Sequence, residues 1–366
     1  MKLFIQLSLI VFAKLIILMM LAAVAAMIVP YLGNFSFPEV LAAYDLPGFV
    51  KALANFDGIH YLNIAQHGYY DFAYAFFPLY PLLINLLGRV LLDNYLVAAL
   101  LISQCSLIGA LWLAYHWLKN KWLLIFLLAF PTAFFQQAAY TESLFLLWVF
   151  ATLFCLQKKY WWRAGLFGLL AALTRVTGVF LVIPLFLYHW PKWKTPSSLI
   201  AVMPMIGLGL YLLFLNQTTG DFLAFFHAQA GFGAGRSTQL ILLPQVYFRY
   251  LKILWQAVHD FKYWIALLEL VIFNFSLFTA VLASWQSFKL KNWPLLSVGL
   301  FSLAILILPT FTGTLLSTPR FALTAISSFI WLSQLKNVVW KIIMTSMLAA
   351  GQILLWAFFV QGYFIS

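Results

Sequence analysis

Long apolar runs separated by short polar segments are the main pattern along the chain. A helix needs about 20 apolar residues to cross the hydrocarbon core of a bilayer. Nine runs of roughly this length predict membrane-spanning helices. They cover residues 7–29, 95–118, 121–139, 141–157, 197–216, 263–287, 294–311, 319–335 and 338–361. The pattern therefore predicts an all-α polytopic membrane protein.

The apolar run at 163–190 is too long for one straight span and too short for two ordinary spans. Thr174-Arg175 and Thr177-Gly178 interrupt its middle. We therefore expect two short helices, 163–174 and 178–190, which meet at a polar break. A break at membrane depth is tolerated where it is buried in protein or lines a cavity. With these two, the bundle is predicted to have about 11 helices.

Two segments between spans have the pattern of helices that lie in the membrane interface. Residues 31–94 form a long first loop, and near its end Asn85 and Arg89 share one face of an otherwise apolar helix. The second segment, 217–262, carries a polar stripe spaced 4, 3 and 4 residues apart. The stripe consists of Gln245, Arg249, Lys252 and Gln256. The alternative for this second helix is a short extra span.

Composition supports the membrane assignment. Hydrophobic residues make up 65% of the 366 residues and charged residues 8%, whereas soluble domains carry about 25% charged residues. We expect one transmembrane domain over 1–366. Lys14 falls within the first run and is predicted to extend back to the cytoplasmic edge. Cys105 and Cys155 lie in apolar runs and are expected to be packing residues.

The net charge of +12 marks orientation rather than nucleic-acid binding. With the N-terminus in the cytoplasm, the predicted inside loops hold twelve cations and no acid. These are Lys2, Lys119, Lys121, Lys158, Lys159, Arg163, Lys192, Lys194, Lys289, Lys291, Lys336 and Lys341. The nine acids all fall on the outer side or in an outer half-span: Glu39, Asp45, Asp57, Asp71, Asp93, Glu142, Asp221, Asp260 and Glu269. Both long loops are therefore predicted to be extracytoplasmic.

The stretch "FDGIHYLNIAQHGYY", at 56–70, concentrates polar side chains in an apolar chain. Gly58 would permit a turn that presents the Asp57 carboxylate, which makes Asp57 a candidate general base. The alternative is an ordinary solvated loop acid. Glu142 begins a span on the outer side, where it could contact a substrate or only cap its helix.

Three arginines are candidates for binding a phosphate group. Arg175 is buried in the predicted break and needs an anionic partner, which could be Glu142, another acid or a ligand phosphate. Arg320 and Arg236 lie on the outer side. Guanidinium groups around one cavity suit phosphate, although such cations also bind lipid headgroups.

Motifs for a metal or a soluble nucleotide are absent from the sequence. It has no DxD pair and no Walker loop, which argues against a nucleotide sugar held through a divalent metal. It also has no CxxC or HExxH pattern. We therefore expect no metal and no bound cofactor.

Several of these residues occur in an ordered series of motifs. The first stretch is followed by "AFFPLYPLL" at 75–83, "AAYTESLF" at 138–145, "LTRVTG" at 173–178, "GDFLAFFHAQ" at 220–229 and "STPRF" at 317–321. The series resembles the PIG-V-like glycosyltransferases of the GT-C superfamily. Two positions depart from it: the family usually has Trp where this chain has Phe56, and Tyr where it has Phe321. Both departures keep an aromatic ring.

The resemblance implies a GT-C-type bundle that transfers a hexose, mannose by default, from a polyprenyl-phosphate sugar with inversion. The acceptor would be an extracytoplasmic glycolipid, glycan or protein. Asp57 would be the base, and Arg320, Arg175 and Arg236 would bind the donor phosphate. The motifs also supply candidate contacts to sugar or acceptor hydroxyls. These are His60, Asp71, Tyr80, Tyr140, Glu142 and Asp221.

Other assignments remain open at this stage. An O-antigen-type ligase or polymerase would also use outer arginines and lipid-linked sugars. A lipid-linked-sugar transporter or flippase would suit a broken helix and an intramembrane arginine, although such proteins usually show paired repeats. The predicted membrane is a bacterial inner membrane. The sequons at Asn34 and Asn216 keep an endoplasmic reticulum location open.

Overall fold

The computed structural model describes residues 1–33, 38–188, 196–232, 237 and 239–365. Within these ranges it contains α-helices, short 3₁₀ helices and connecting turns, without a β-strand. The α-helices, in chain order, are α1 Lys2–Ile28, α2 Pro38–Ala42, α3 Gly48–Lys51, α4 Asp57–His67, α5 Leu79–Val90, α6 Tyr95–Leu118, α7 Lys121–Ala129, α8 Glu142–Gln157, α9 Trp161–Thr174, α10 Val182–Leu187, α11 Met203–Thr219, α12 Ala224–His227, α13 Leu243–Gln256, α14 Phe261–Lys289, α15 Trp293–Ile307, α16 Thr318–Thr324, α17 Ser327–Ser333 and α18 Val338–Val360.

Six of the described helical segments are long and apolar enough to cross a membrane. They are Lys2–Ile28, Tyr95–Leu118, Leu199–Thr219, Phe261–Lys289, Trp293–Thr312 and Val338–Val360. Shorter apolar helices, α8 among them, pack between these segments. The prediction of an all-α polytopic membrane protein is confirmed. The number of helices that cross the membrane stays a prediction.

Two of the predicted spans are not continuous helices. In the run 121–139, α7 ends at Ala129, since Pro131 has no backbone N–H and its ring disfavours a helical residue before it. In the run 319–335, the chain breaks between α16 and α17. The hydroxyl Oγ of Ser302 accepts a hydrogen bond from the freed N–H of Ser327 at 3.2 Å. Hydroxyl groups near a break can replace the helical partner that the backbone loses.

The predicted break in the run 163–190 is present. Helix α9 ends at Thr174, and Arg175 is extended, with φ −153° and ψ 146°. A 3₁₀ helix, Val176–Leu181, follows and leads into α10. The backbone therefore turns away from the helical path at the arginine itself, which places that side chain beside the start of α8.

The unwound segment 130–141 lies entirely inside the protein, because every residue in it is buried. Partners from other helices satisfy its polar groups. Gln137 donates through Nε2 to the carbonyl oxygen of Val11 at 2.7 Å, and Lys14 donates through Nζ to that of Ala133 at 3.1 Å. The prediction that Lys14 extends to the cytoplasmic edge is therefore wrong. Its ammonium group binds the unwound segment instead, since a broken helix leaves carbonyl oxygens that need donors.

Both predicted amphipathic helices are present, as α5 and α13. On α5, Asn85 donates to the carbonyl oxygen of Ala65 near the end of α4 at 2.6 Å, while Leu82 and Leu86 on the neighbouring side of the helix are exposed. On α13, an exposed apolar face accompanies the polar stripe. The position of these helices in the membrane interface stays a prediction, as do the boundaries 31–94 and 217–262.

Two glycines of α11 offer a matched test of helix packing. A Cβ at Gly207 would lie 2.5 Å from the carbonyl oxygen of Leu169 in α9, whereas a Cβ at Gly209 would meet no atom within 4 Å. We expect Gly207→Ala to destabilise the protein by about 1–3 kcal/mol, because the two backbones must separate. Gly209→Ala should leave stability unchanged or raise it slightly. Thermal unfolding in detergent measures both, and equal midpoints for the two variants would contradict this packing.

Candidate active site

Asp57 is the first residue of α4, next to an unusual backbone conformation. Phe56 has φ 58° and ψ −115°, in a region that residues other than glycine rarely occupy. Its ring packs against Phe359 and Phe364, with centroids 5.5 and 5.3 Å apart. The sequence analysis predicted the sharp turn at Gly58. That prediction is wrong, because the turn falls on Phe56. Packing of an aromatic ring holds the turn that presents the carboxylate.

Gly58 has a different function, which is to allow close packing. A Cβ at this position would lie 3.1 Å from Cβ of Ala54 and 3.4 Å from the carbonyl oxygen of Ala139. Two hydrogen bonds fix the same contact. The N–H of Ala139 donates to the carbonyl oxygen of Leu53 at 2.8 Å, and the hydroxyl of Tyr140 donates to that of Asn55 at 2.7 Å. The start of α4 is therefore fixed to the unwound segment that leads into α8.

Four charged side chains from distant parts of the chain meet at this point. Nη1 of Arg320 lies 2.5 Å from Oδ2 of Asp57. Nε and Nη2 of the same guanidinium lie 2.9 and 2.8 Å from Oε1 of Glu142. That oxygen also accepts a hydrogen bond from Nη1 of Arg175 at 2.7 Å. The order Asp57, Arg320, Glu142, Arg175 alternates in charge and has a formal net charge of zero.

The two carboxylates of the network differ in solvent exposure, and this difference indicates different functions. The side chain of Glu142 is 0% exposed, and those of Arg320 and Arg175 are 9% and 10% exposed. Asp57 is 25% exposed, so its carboxylate is the accessible end of the network. Oε2 of Glu142 is buried without a hydrogen-bond partner among the described residues. Glu142 is therefore placed to hold both arginines, and its carboxylate is closed to a substrate hydroxyl in this conformation.

Aromatic rings enclose both guanidinium groups. The Cζ atom of Arg320 lies 4.9 Å from the ring centroid of Phe135 and 4.7 Å from that of Tyr140. The Cζ atom of Arg175 lies 5.0 Å from the ring of Phe321. Faces of aromatic rings attract cations and exclude water. These rings orient the arginines. Phe321, which stands where PIG-V-like proteins usually have Tyr, thus contacts Arg175, one of the predicted phosphate ligands.

His60 lies one helical turn after Asp57 and is buried. Its Nδ1 is 2.5 Å from the hydroxyl of Tyr70, and its ring stacks on Phe76 with centroids 5.1 Å apart. Burial lowers the pKa of His60 from its ordinary value, and the charge of Asp57 opposes this shift. Since α4 lies in the long loop outside the spanning helices, His60 is expected to be neutral at pH 7 and able to hydrogen-bond a hydroxyl.

The lowered pKa of His60 predicts a pH effect on stability. The unfolded chain binds a proton at His60 near pH 6.5, whereas the folded protein binds it at lower pH. The stability contributed by the neutral side chain is therefore complete above about pH 6.5 and is lost as the pH falls below it. We expect the unfolding midpoint of wild type to fall more between about pH 7.5 and pH 5 than that of His60→Gln. Parallel pH curves for the two proteins would contradict this.

The two candidate tyrosines pack inside the protein. The hydroxyl of Tyr80 donates to the carbonyl oxygen of Ala99 at 3.1 Å and lies 2.9 Å from Oγ of Ser103. Tyr140 is also buried, beneath Arg320. Neither hydroxyl is open to a sugar in this conformation. Their positions support the shape of the site, and substrate contact by either tyrosine stays a prediction.

The remaining candidates do not join the charged network. Asp71 is exposed at the start of a 3₁₀ helix, without a hydrogen bond or ion pair to the four network residues. Asp221 pairs with His227, with Oδ2 and Nδ1 2.6 Å apart, on the surface. Arg236 lies outside the described residues. Within the described ranges, no three His, Cys, Asp or Glu side chains group as metal ligands, and the expectation of no metal stays a prediction.

The sequence reasoning missed several contributors to the site. Oγ1 of Thr141 is 3.4 Å from Nη1 of Arg175 and from the hydroxyl of Tyr61. Asn55 anchors Tyr140 through its carbonyl oxygen, and Phe135 faces Arg320. Thr141 directly precedes Glu142 in a quoted motif, and Asn55 lies just before the first motif, two residues from Asp57. These positions are the signal that could have identified them. No local pattern marks Phe135, because its contact depends on the unwound segment.

The chain is similar to a known protein family and to individual proteins of known name. The family model "Mannosyltransferase (PIG-V)" matches residues 3–120, which include Asp57 but not Glu142, Arg175 or Arg320. The chain is 32% identical over 219 residues to GPI alpha-1,6-mannosyltransferase 2 of Rattus norvegicus, covering 53% of this chain and 44% of that protein. For the Homo sapiens protein the identity is 33% over 178 residues, covering 43% and 35%. The match thus spans less than half the length of these relatives.

These findings confirm the resemblance to PIG-V-like proteins that the ordered motifs predicted. The crystal structure of ArnT from Cupriavidus metallidurans bound to undecaprenyl phosphate is also similar to this chain, with a TM-score of 0.47 and 15% sequence identity. That similarity covers 83% of this chain and 59% of ArnT.

Proposed function

We propose that this chain is a membrane glycosyltransferase of the GT-C type that moves a hexose from a polyprenyl-phosphate carrier to an extracytoplasmic acceptor. The relatives are mannosyltransferases by name, which makes mannose the first sugar to test. The observation that carries the proposal is the contact between the accessible Asp57 carboxylate and the Arg320 guanidinium, 2.5 Å apart. This contact supports a base at Asp57 directly beside a group that can receive a phosphate.

The chemical step is an inverting substitution at the anomeric carbon. Asp57 takes the proton of the acceptor hydroxyl as the acceptor oxygen forms its bond to that carbon. The bond from the anomeric carbon to the phosphate oxygen breaks, and its electron pair leaves with the polyprenyl phosphate. The neighbouring guanidinium favours the ionised form of Asp57, which is the form that can accept a proton. One base suffices, because no covalent glycosyl-enzyme intermediate is formed.

The arginines stabilise the charge that develops on the leaving group. A phosphate diester with one negative charge becomes a monoester with nearly two, so about one unit of charge appears. A guanidinium has five N–H donors, and the two carboxylates occupy at most three of those on Arg320. The remaining donors can bind the phosphate. Because Glu142 and the aromatic rings fix the guanidinium in advance, little reorganisation is needed during the reaction.

The location of the site supports a lipid-linked donor. The acidic end of the network belongs to a loop that follows the first long apolar helix, so the carboxylate lies close to a membrane surface. The charge distribution supports an extracytoplasmic position for this loop. A bacterial inner membrane is our proposal for the compartment. The donor phosphate would then reach the arginines while its polyprenyl tail stays in the bilayer.

A transfer assay with reconstituted protein tests the proposed function. Purified protein is reconstituted, and radiolabelled polyprenyl-phosphate mannose is supplied with membrane extract as the source of acceptor. We expect label in a new glycosidic product and release of polyprenyl monophosphate in equal amount. Movement of intact donor between leaflets without a new bond would favour a flippase. Transfer of a preassembled glycan in preference to a single sugar would favour an O-antigen-type ligase or polymerase.

A further inference from the structure

A groove of about 540 Å³ lies outside the charged network. One wall is the polar stripe of α13 and the other is the segment 313–316, shortly before α16. The lining residues that carry the argument are Arg249, Lys252, Gln256 and Gly313. The groove is large enough for a lipid headgroup and is separate in sequence from the Asp57 loop.

The lining of the groove is cationic. Arg249 and Lys252 contribute two formal positive charges, and no carboxylate lies among the lining residues that the structure describes. The nearby acid Glu269 is buried behind the wall, where its Oε2 accepts the hydroxyl hydrogen bond of Tyr250 at 2.5 Å. That same hydroxyl accepts a hydrogen bond from the N–H of Leu315 at 3.0 Å. Glu269 thus holds Tyr250 and, through it, the segment 313–316 that forms one wall of the groove. Its carboxylate does not line the groove, whose lining keeps the positive charges of Arg249 and Lys252.

The backbone at Gly313 shapes the site around an arginine. Nη1 of Arg249 donates to the carbonyl oxygen of Gly313 at 3.1 Å. Gly313 has φ +86°, and a Cβ there would lie 2.5 Å from the same Nη1. A residue with a side chain would therefore be strained and would displace the guanidinium. One bond to a carbonyl oxygen holds Arg249 in place, and most of its five N–H donors remain available to an anion.

The surface next to the groove points to a lipid as the source of that anion. On α13, Phe248 is 68% exposed and Trp255 is 89% exposed, and Leu251 beside them is also exposed. An amphipathic helix with basic and aromatic residues is typical of the membrane interface. Cations at this level attract anionic headgroups. Acyl or prenyl chains could then lie along the exposed apolar side chains while a phosphate enters the groove.

We propose that this groove binds the phosphate group of a membrane lipid through Arg249 and Lys252, at a site distinct from the Asp57–Arg320 centre. Gln256 adds a neutral donor for a second phosphate oxygen. The ligand is defined by its chemistry, a lipid-borne phosphate, which an anionic phospholipid or a polyprenyl phosphate can supply. The proposal does not depend on the transfer reaction.

Native mass spectrometry of the full chain can count bound lipids. The protein is released from phosphatidylcholine nanodiscs after titration with phosphatidylglycerol in one arm and undecaprenyl monophosphate in the other. We expect the double variant R249Q/K252Q to weaken binding by about 10- to 30-fold in at least one arm. The arm that responds identifies the source of the phosphate.

The control removes the same charge elsewhere. Arg89 and Lys262 are exposed residues outside the groove, and R89Q/K262Q should bind both lipids as wild type does. Equal weakening by the two pairs would overturn the proposal, since it would indicate a general surface-charge effect. Unchanged binding by R249Q/K252Q in both arms would also overturn it. If the double variant unfolds, the exposed single variant K252Q replaces it, with an expected loss of about fivefold.

Discussion

Replacement of Asp57 by asparagine is expected to reduce sugar transfer by about 10²–10⁴-fold, the range for loss of a general base. The amide keeps the size of the carboxylate and can still accept a hydrogen bond from Arg320, but it cannot take a proton from the acceptor. Because Asp57 is the accessible end of the network, the protein should remain folded and inserted. Transfer by reconstituted protein from a radiolabelled donor measures the loss.

An exposed acid of the same loop provides the control. Asp45 lies on the surface, and Asp45→Asn should transfer at the wild-type rate. Near-normal turnover by Asp57→Asn would remove Asp57 as the base. A loss of transfer together with a loss of the folded protein in detergent would instead assign Asp57 a structural function.

Replacement of Glu142 by glutamine is expected to have the second large effect, on folding as well as on transfer. Removal of one member of a buried charged network costs about 3–5 kcal/mol, because the partner charges remain buried and uncompensated. Here the formal charge of the network would change from zero to +1. Arg320 would keep its ion pair with Asp57, and Arg175 would lose its ion pair with Glu142. Thermal unfolding in detergent should show a large decrease in the midpoint. The exposed Glu39 provides the control, Glu39→Gln, which should unfold as wild type does.

A double variant distinguishes charge balance from loss of shape. Glu142→Gln combined with Arg175→Gln returns the network to a net charge of zero. We expect the double variant to be more stable than the sum of the two single effects predicts, because the sites are in direct contact. Additive effects would show that the charges of Glu142 and Arg175 are not coupled.

Much of the fold follows from patterns that are local in the sequence. Hydrophobic length located the long helices, and for Tyr95–Leu118 both ends agree with the predicted run. The polar pair Thr174-Arg175 located the break after α9. Both results depend on the free-energy cost of exposing polar groups to lipid. This cost is set by the residues of the segment itself and can therefore be read from the local sequence. The polar stripe of α13 was also predictable from the local sequence, because its residues recur with helical spacing.

The predictions that were wrong concern features that depend on contacts between distant segments of the chain. The runs 121–139 and 319–335 are apolar enough to span, yet both are broken, because partners such as Lys14 and Ser302 compensate the backbone. Nothing in the sequence near Lys14 indicates that its partner is Ala133, 119 residues away. The turn assigned to Gly58 falls on Phe56, since rings from the C-terminal segment stabilise it.

The charged residues of the site were predictable, and Glu142 was among the predicted partners of Arg175, a pair that the structure contains. The other connections were not predicted. Sequence motifs selected Asp57, Glu142, Arg175 and Arg320, and the structure brings all four together. The assignment of Glu142 to a substrate hydroxyl did not anticipate that two arginines would share its Oε1. Such sharing depends on α8, α9 and α16 meeting at one point, which only the packed bundle defines.

The product of a single transfer reaction shows whether the transfer inverts the anomeric configuration and whether it requires Asp57. Wild type and Asp57→Asn are compared with isotope-labelled β-linked polyprenyl-phosphate mannose, and the anomeric configuration of the product is read by NMR. We expect an α-linked sugar and an equal amount of polyprenyl monophosphate from wild type, and neither from the variant. A β-linked product, or an α-linked product formed equally well without the Asp57 carboxylate, would rule out Asp57 as the base of an inverting transfer.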